Sequence, residues 1–226
     1  MMLTKLIEFT NLNPSLNSKE IKEFVLLAAK RQYRSVVLPY NCCSVAKTVI
    51  TQNNLDLKVV TVFGFPFDRY SRDMLHFYNR FYDEIDVLIP IHLYYYNYPP
   101  FLDEIEKLLK TVRSTLSDKK VKFIIETTLM RDKSKQIKEL CKLASNCNVD
   151  VIKTCSGIIK TPSRTFQDLL DEIKLIKKYW KKDIKASGGI KTVDEVKQLA
   201  KLGVKYIGTS TDIFKDNIVS FKGGMK

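Results

Sequence analysis

Three charged residues sit where apolar strands would ordinarily exclude them. Lys153 follows the mostly apolar run Val149-Asp150-Val151-Ile152 and precedes Thr154-Cys155-Ser156-Gly157. Lys185 lies in Asp183-Ile184-Lys185-Ala186-Ser187, just ahead of Gly188 and Gly189. Asp86 lies inside Glu84-Ile85-Asp86-Val87-Leu88-Ile89. Lysine is among the side chains least often fully buried. At a strand end facing a cavity it is partly desolvated, which favours the neutral amine. A neutral amine attacks a carbonyl carbon to form a Schiff base. A free lysine, with a pKa of about 10.4, is neutral in only on the order of one molecule in 10³ at neutral pH. A second ammonium nearby lowers that pKa, as desolvation does. Lys185 could do this for Lys153, and Asp86 could carry protons while the adduct forms and breaks. Taken singly, each residue also has a structural reading. A strand-end lysine can reach water along its aliphatic stem, and an acid inside a barrel can simply pair with a lysine.

These residues act together only if the fold sets their strands side by side. Strand-like and helix-like stretches alternate along the whole chain. The strands expected are Leu6–Thr10, Arg34–Leu38 (ended by Pro39), Leu57–Phe63, Glu84–Ile89 (ended by Pro90), Val121–Thr127, the run at Val151, Asp183–Ser187 and Tyr206–Ser210. Helices are expected at Lys19–Arg31 with Ser18 as cap, Ser44–Thr51, Ser71–Tyr82, Phe101–Val112, Lys133–Ala144, Phe166–Trp180, Val193–Leu202 with Thr192 as cap, and Asp212–Val219. In the first of these, Ile21, Phe24, Val25 and Ala28 fall on one face. Alternating strands and helices indicate βαβ units and a parallel sheet. Eight such units in 226 residues suit a single-domain (β/α)₈ TIM barrel spanning residues 1–226. A doubly wound open sheet is the competing fold, but a glycine-rich dinucleotide fingerprint does not follow the first strand.

Composition narrows the function classes. The chain is 45% hydrophobic and 28% charged, ordinary values for a folded protein. Its 38 basic and 25 acidic residues leave a net charge of +13. Acids accompany the lysines, as in Asp171–Lys182, and no run of five or six like charges occurs. A solvated basic surface is therefore expected, and nucleic acid is not an expected partner. The five cysteines include no CxxC pair, so neither a disulfide framework nor a metal site is expected. Neither a signal-peptide core nor a membrane-length apolar stretch is present in the sequence, and a cytoplasmic protein without a membrane partner is expected. The cluster Tyr94-Tyr95-Tyr96 could serve a homodimer interface or simple loop packing.

In a barrel of this kind, functional groups gather at the carboxyl ends of the strands. That map collects Glu8, Asp86, Glu126, Lys153 and Lys185. Gly188, Gly189, Gly208, Ser187 and Ser210 close the last two strands, where barrels commonly hold phosphate. A short helix after Ser210 would aim its positive end at such an anion.

Five segments together resemble the deoxyribose-phosphate aldolase family. They are Asp83-Glu84-Ile85-Asp86-Val87, Ile124-Ile125-Glu126-Thr127, Val151-Ile152-Lys153-Thr154-x-Ser156-Gly157, Lys185-Ala186-Ser187-Gly188-Gly189-Ile190 and Ile207-Gly208-Thr209-Ser210. Val62-Phe63-Gly64-Phe65-Pro66 matches the family's Gly-Phe-Pro turn, and the matches run in order over nearly the whole chain. The resemblance implies a metal-free, cofactor-free class I aldolase. It would reversibly cleave 2-deoxy-D-ribose 5-phosphate to D-glyceraldehyde 3-phosphate and acetaldehyde, in deoxyribonucleotide catabolism. Lys153 would be the Schiff-base lysine, Lys185 its tuning lysine and Asp86 the proton relay. Glu8, Glu126 and Thr154 would support them, and Gly188, Gly189, Gly208 and Ser210 would hold phosphate. Two other readings stay open: a class I aldolase for another sugar phosphate, and a barrel that binds a sugar phosphate without turnover.

The chain departs from the family pattern in places. Glu8 replaces the usual Asp, Phe9 stands where many members have His, and Cys155 stands where Ser or Thr is usual. Phe67-Asp68-Arg69-Tyr70 replaces a small, glycine-containing turn, and the sequence stops at Gly223-Gly224-Met225-Lys226 without a terminal tyrosine. Cys155 is expected to be a small packing residue on the same side as Lys153. Lys160 is expected to be a solvated loop lysine.

Overall fold

The computed structural model describes residues 2–64, 73, 75–76, 79–95, 101–157, 159 and 163–215. Eight strands form a closed parallel barrel in chain order: β1 Ile7–Thr10, β2 Ser35–Leu38, β3 Lys58–Phe63, β4 Glu84–Leu88, β5 Lys120–Ile124, β6 Val151–Lys153, β7 Asp183–Ser187 and β8 Tyr206–Thr209. Pairing of β1 with β8 closes the circle, with Glu8 opposite Gly208. The open-sheet alternative is thereby ruled out. Successive side chains on a strand point to opposite faces. Outward residues such as Ile85, Phe123 and Ile152 are fully buried, so each strand has protein on both sides.

The helices are α1 Ser18–Lys30, α2 Cys43–Gln52, α3 His92–Tyr95, α4 Phe101–Thr115, α5 Lys133–Asn146, α6 Phe166–Tyr179 and α7 Val193–Lys201. The longer ones bury one stripe, as Ile137, Leu140, Cys141 and Ala144 do on α5. The α1 cap is Asn17 and not Ser18. Asn17 accepts a hydrogen bond from the Glu20 N–H at 3.0 Å, and the Glu20 carboxylate accepts from the Asn17 N–H at 2.8 Å. A capping box needs Glu or Gln three residues on. Asn17 has Glu20 there, whereas Ser18 has the buried Ile21. Thr192 caps α7 as expected, in a reciprocal pair with Glu195.

Other expectations shift. The strand expected at Val121–Thr127 stops at Ile124, because Glu126 turns into the left-handed region at φ 48°. Of the helix expected over Ser71–Tyr82, residues 73, 75 and 76 are helical, Asn79–Phe81 forms a 3₁₀ turn and Tyr82 is not helical; residues 71, 72, 74, 77 and 78 lie outside the described residues. Residues 212–215, expected to begin a final helix, form turns instead, and 216–219 lie outside the described residues. Asp212 is drawn off by the Arg31 guanidinium at 2.9 Å and the Tyr33 hydroxyl at 2.6 Å. A helix that would aim at an anion after Ser210 is therefore absent among residues 211–215. The Tyr94 hydroxyl donates to the Ile125 carbonyl at 2.5 Å, so it serves internal packing; Tyr96 lies outside the described residues. All five cysteines are buried and none is in a disulfide. No helix among the described residues is long and apolar enough to cross a membrane.

Replacing the α7 cap, Thr192→Ala, strands the Glu195 N–H and should cost about 1 kcal/mol of folding stability, read from urea unfolding at neutral pH.

Candidate active site

The two-residue strand period explains how the site assembles. Glu84 and Asp86 on β4 share the inward face while Ile85 points out. Lys122 lies opposite Asp86 across β4 and β5, and Lys153 lies opposite Lys185 across β6 and β7. The middle of the barrel is thus a layer of buried charge, formed by Glu8, Glu84, Asp86, Lys122, Lys153 and Lys185.

Asp86 is the hub. One oxygen, Oδ2, accepts from Lys153 Nζ at 2.8 Å and from Lys185 Nζ at 2.6 Å. Its other oxygen pairs with Lys122 at 3.3 Å. Lys185 also forms an ion pair with Glu8. Lys122 reaches Glu84 at 2.7 Å and Glu8 at 3.2 Å. Below them, Arg34 binds Glu8 at 2.6 Å and also binds Glu84. Sequence reasoning brought Lys153, Lys185, Asp86 and Glu8 together, and they do meet. It missed Lys122, Glu84 and Arg34. The first two carry a readable signal, since each is a charged residue on the inward parity of an apolar strand. Arg34 precedes β2, and nothing in its local sequence points it inward.

Burial alone would push these carboxyls up, but the surrounding cations outweigh it. Asp86 and Glu84 are held far below the usual carboxylate range, Asp86 by Lys153, Lys185 and Lys122, and Glu84 by Lys122 and Arg34. Glu8 is lowered by Lys122 and Lys185. Burial pushes the Lys185 ammonium down to about 8, against the pull of Asp86 and Glu8. For Lys122 the balance runs the other way: burial is outweighed by Glu8, Asp86 and Glu84, and its pKa is raised.

A cleft of about 700 Å³ opens at the carboxyl ends of the strands, with Lys153 in its lining. Lys185 and Lys122 do not line it, and both are fully buried. Lys153 is therefore the interior amine a ligand can touch. Gly188, Gly189, Gly208 and Ser210 all line the cleft, as the sequence map placed them. Two of the glycines are sterically required. Gly188 has φ 101°, and a Cβ there would lie 2.5 Å from an Arg164 guanidinium nitrogen. A Cβ at Gly208 would lie 2.6 Å from Ser187 Oγ and 3.1 Å from Lys185 Cε. Beside Thr209 on the neighbouring strand, Phe9 stacks on Phe24 with ring centroids 4.4 Å apart and gives the cleft an apolar patch.

Of the supporting residues, Glu8 belongs to the charge layer, whereas Thr154 and Glu126 hold loops. The Thr154 hydroxyl donates to the Ser187 carbonyl at 3.1 Å and accepts from the Ser187 N–H at 3.0 Å, tying the end of β6 to β7. Glu126 accepts from the Ser156 N–H at 2.9 Å and the Thr128 hydroxyl at 2.6 Å. Cys155 is a buried packing residue, its thiol pushed up to about 11 by burial. It lies behind Gly188 near Arg164 and not beside Lys153 in the cleft, because β6 ends at Lys153 and the strand alternation stops there. Lys160, Phe65-Pro66, Phe67-Asp68-Arg69-Tyr70 and the C-terminal Gly223-Gly224-Met225-Lys226 lie outside the described residues.

The depressed carboxyls make folding acid-sensitive. A carboxyl whose folded pKa lies below its unfolded value stabilises the protein above the unfolded pKa, and that contribution is lost as pH falls through the folded one. Glu8, Glu84 and Asp86 all shift this way. Stability in urea should hold down to about pH 5 and then drop steeply, with Asp86→Asn and Glu84→Gln variants showing a shallower acid slope.

No family model matches the chain. The deoxyribose-phosphate aldolase of Finegoldia magna is 31% identical over 221 residues, covering 94% of this chain and 98% of that protein. A putative deoxyribose-phosphate aldolase structure from Coccidioides immitis superposes with a TM-score of 0.78 at 20% identity, covering 92% of this chain and 81% of that one. The tetrameric deoxyribose phosphate aldolase of Aeropyrum pernix superposes with a TM-score of 0.72 at 22% identity, covering 92% of this chain and 86% of that one. With relatives of this similarity matched along nearly its full length and the same barrel fold, the chain belongs to the deoxyribose-phosphate aldolase family.

Proposed function

We propose that the chain is a class I aldolase that reversibly cleaves 2-deoxy-D-ribose 5-phosphate to D-glyceraldehyde 3-phosphate and acetaldehyde. One observation carries this reading: Lys153 opens to the cleft while its amine shares a single Asp86 oxygen with the buried Lys185. The neutral Lys153 amine attacks the aldehyde carbon of the open-chain sugar. The carbinolamine loses water to give an iminium. Asp86 and Lys185 pass the protons that these steps release and consume. Lys185 suits this exchange, because a pKa of about 8 leaves it able to give and take a proton near neutrality. The iminium then takes up the electrons of the C2–C3 bond as the C3 hydroxyl loses its proton. Glyceraldehyde 3-phosphate departs, and the enamine left on Lys153 is protonated at C2 and hydrolysed to acetaldehyde.

The loops bearing Gly188, Gly189, Gly208 and Ser210 are proposed to hold the phosphate, because they leave backbone and hydroxyl groups facing the cleft beyond Lys153. The ligands proposed are this sugar phosphate and the two aldehydes, with no metal or cofactor. Neither nucleic acid nor membrane is a proposed partner, since the basic residues are interspersed with acids and do not form a run. A cytoplasmic homodimer is the proposed state, and light scattering tests the assembly: a mass equal to the 26.2 kDa chain rejects it.

Borohydride reduction in the presence of acetaldehyde should add a two-carbon unit to Lys153, located by peptide mass mapping. An adduct on another lysine, or none, removes the Schiff-base assignment. Lys153→Met should lower kcat by at least about a thousandfold, since the covalent route is gone. A substrate panel separates this reading from its nearest rival: faster cleavage of a ketose phosphate than of the deoxy sugar phosphate would overturn it.

A further inference from the structure

The charges inside the barrel do not balance. Among the described residues, the cations Arg34, Lys122, Lys153 and Lys185 face the carboxylates Glu8, Glu84 and Asp86. Four positive groups therefore meet three negative ones. Lys58 also approaches Glu84, at 3.4 Å, but its side chain is 55% exposed and water screens it. A surplus charge shut away from water is strongly unfavourable. The relief open to the cluster is loss of one proton from an amine.

Arg34 is the cation that cannot supply that relief, because a guanidinium does not deprotonate in a protein. Burial would loosen its proton, but Glu8 and Glu84 outweigh that effect. Its guanidinium lies 4.5 Å from the centre of the Tyr206 ring. The Tyr206 hydroxyl accepts from Lys120 at 2.8 Å and donates to Asp183 at 3.1 Å. Arg34 does not line the cleft. We propose that Arg34 is a positioning residue for the amine chemistry: bound to Glu8 and Glu84 at the floor of the barrel, it is the surplus cation that makes an interior lysine give up its proton. Without it, three amines would face three carboxylates, and each ammonium would keep a counter-charge.

Lys122 feels the Arg34 charge directly, and Lys185 on β7 is coupled to it through Glu8. Lys185 faces Glu8 from β1, Asp86 from β4, Lys122 from β5 and Lys153 from β6, with Tyr206 beside it on β8 and Arg34 beyond Glu8. Removing Arg34 removes a repulsion on Lys122 and frees Glu8 to bind Lys185 harder. Both changes hold protons on these amines.

This inference rests on the aldolase reading, and the test separates the two. The measurement is the rate of acetaldehyde trapping on Lys153 with cyanoborohydride, from about pH 6 to about pH 10. In Arg34→Met the acid limb should move up by about one pH unit, giving roughly tenfold slower trapping at neutral pH and convergence with the parent at the alkaline end. Glu84→Gln, which enlarges the surplus, should move the limb down. The double variant Arg34→Met/Glu84→Gln has three cations and two carboxylates, so it should return towards the parent. A loss that is uniform across pH in Arg34→Met, or a double variant no better than the worse single, overturns the proposal. Should Arg34→Met fail to fold, an unmoved limb in Glu84→Gln overturns it equally. If the parent itself does not trap acetaldehyde on Lys153, the aldolase reading falls and takes this inference with it. Trapping by the parent with unmoved limbs in the variants defeats the Arg34 proposal alone.

Discussion

A single carboxylate oxygen, Asp86 Oδ2, lies within hydrogen-bond reach of two lysine amines in a barrel closed to water on its other sides. Charges removed from water must be matched, and an isolated one among them would be driven to its neutral form. That constraint accounts for the rest of the layer. Lys122 forms an ion pair with the second Asp86 oxygen, Glu8 meets Lys185, and Arg34 ties Glu8 to Glu84. Each member is fixed by at least one other, so the position of Lys153 Nζ depends on residues from five other strands or strand entries.

The same layer divides labour between chemically identical side chains. Lys153, Lys185 and Lys122 are all buried lysines with carboxylate partners. Only Lys153 borders the cleft. Lys122 is surrounded by three carboxylates and is held charged, whereas desolvation dominates at Lys185. Position in the charge layer therefore separates an amine that borders the cleft, one whose ammonium burial pushes down and one that is held charged as a counter-ion.

Around this layer the loops are built for close approach. Thr154 and Ser187 join the ends of β6 and β7, Glu126 fixes the Ser156 amide, and Gly188 lets Arg164 and Cys155 pack against the backbone. Phe9 and Phe24 add an apolar patch beside the glycine-bearing loops.

Much of this was legible in the order of residues alone. Alternation of β-branched runs with amphipathic stretches dictates a parallel barrel, because both are local patterns. The parity of Asp86, Lys153 and Lys185 on their strands places them inside, and the ordered motifs carry the family. Local patterns cannot reach beyond that. The αL turn at Glu126 and the choice of Asn17 over Ser18 depend on which backbone groups need a partner. Lys122 and Glu84 show only their inward parity locally; register is what sets them beside Asp86 and Glu8. Arg34 had no signal at all, since its long side chain enters the barrel from the far end. Which lysine meets the cleft, and how many charges share the interior, are sums over strands distant in sequence. Only closure of the barrel decides them.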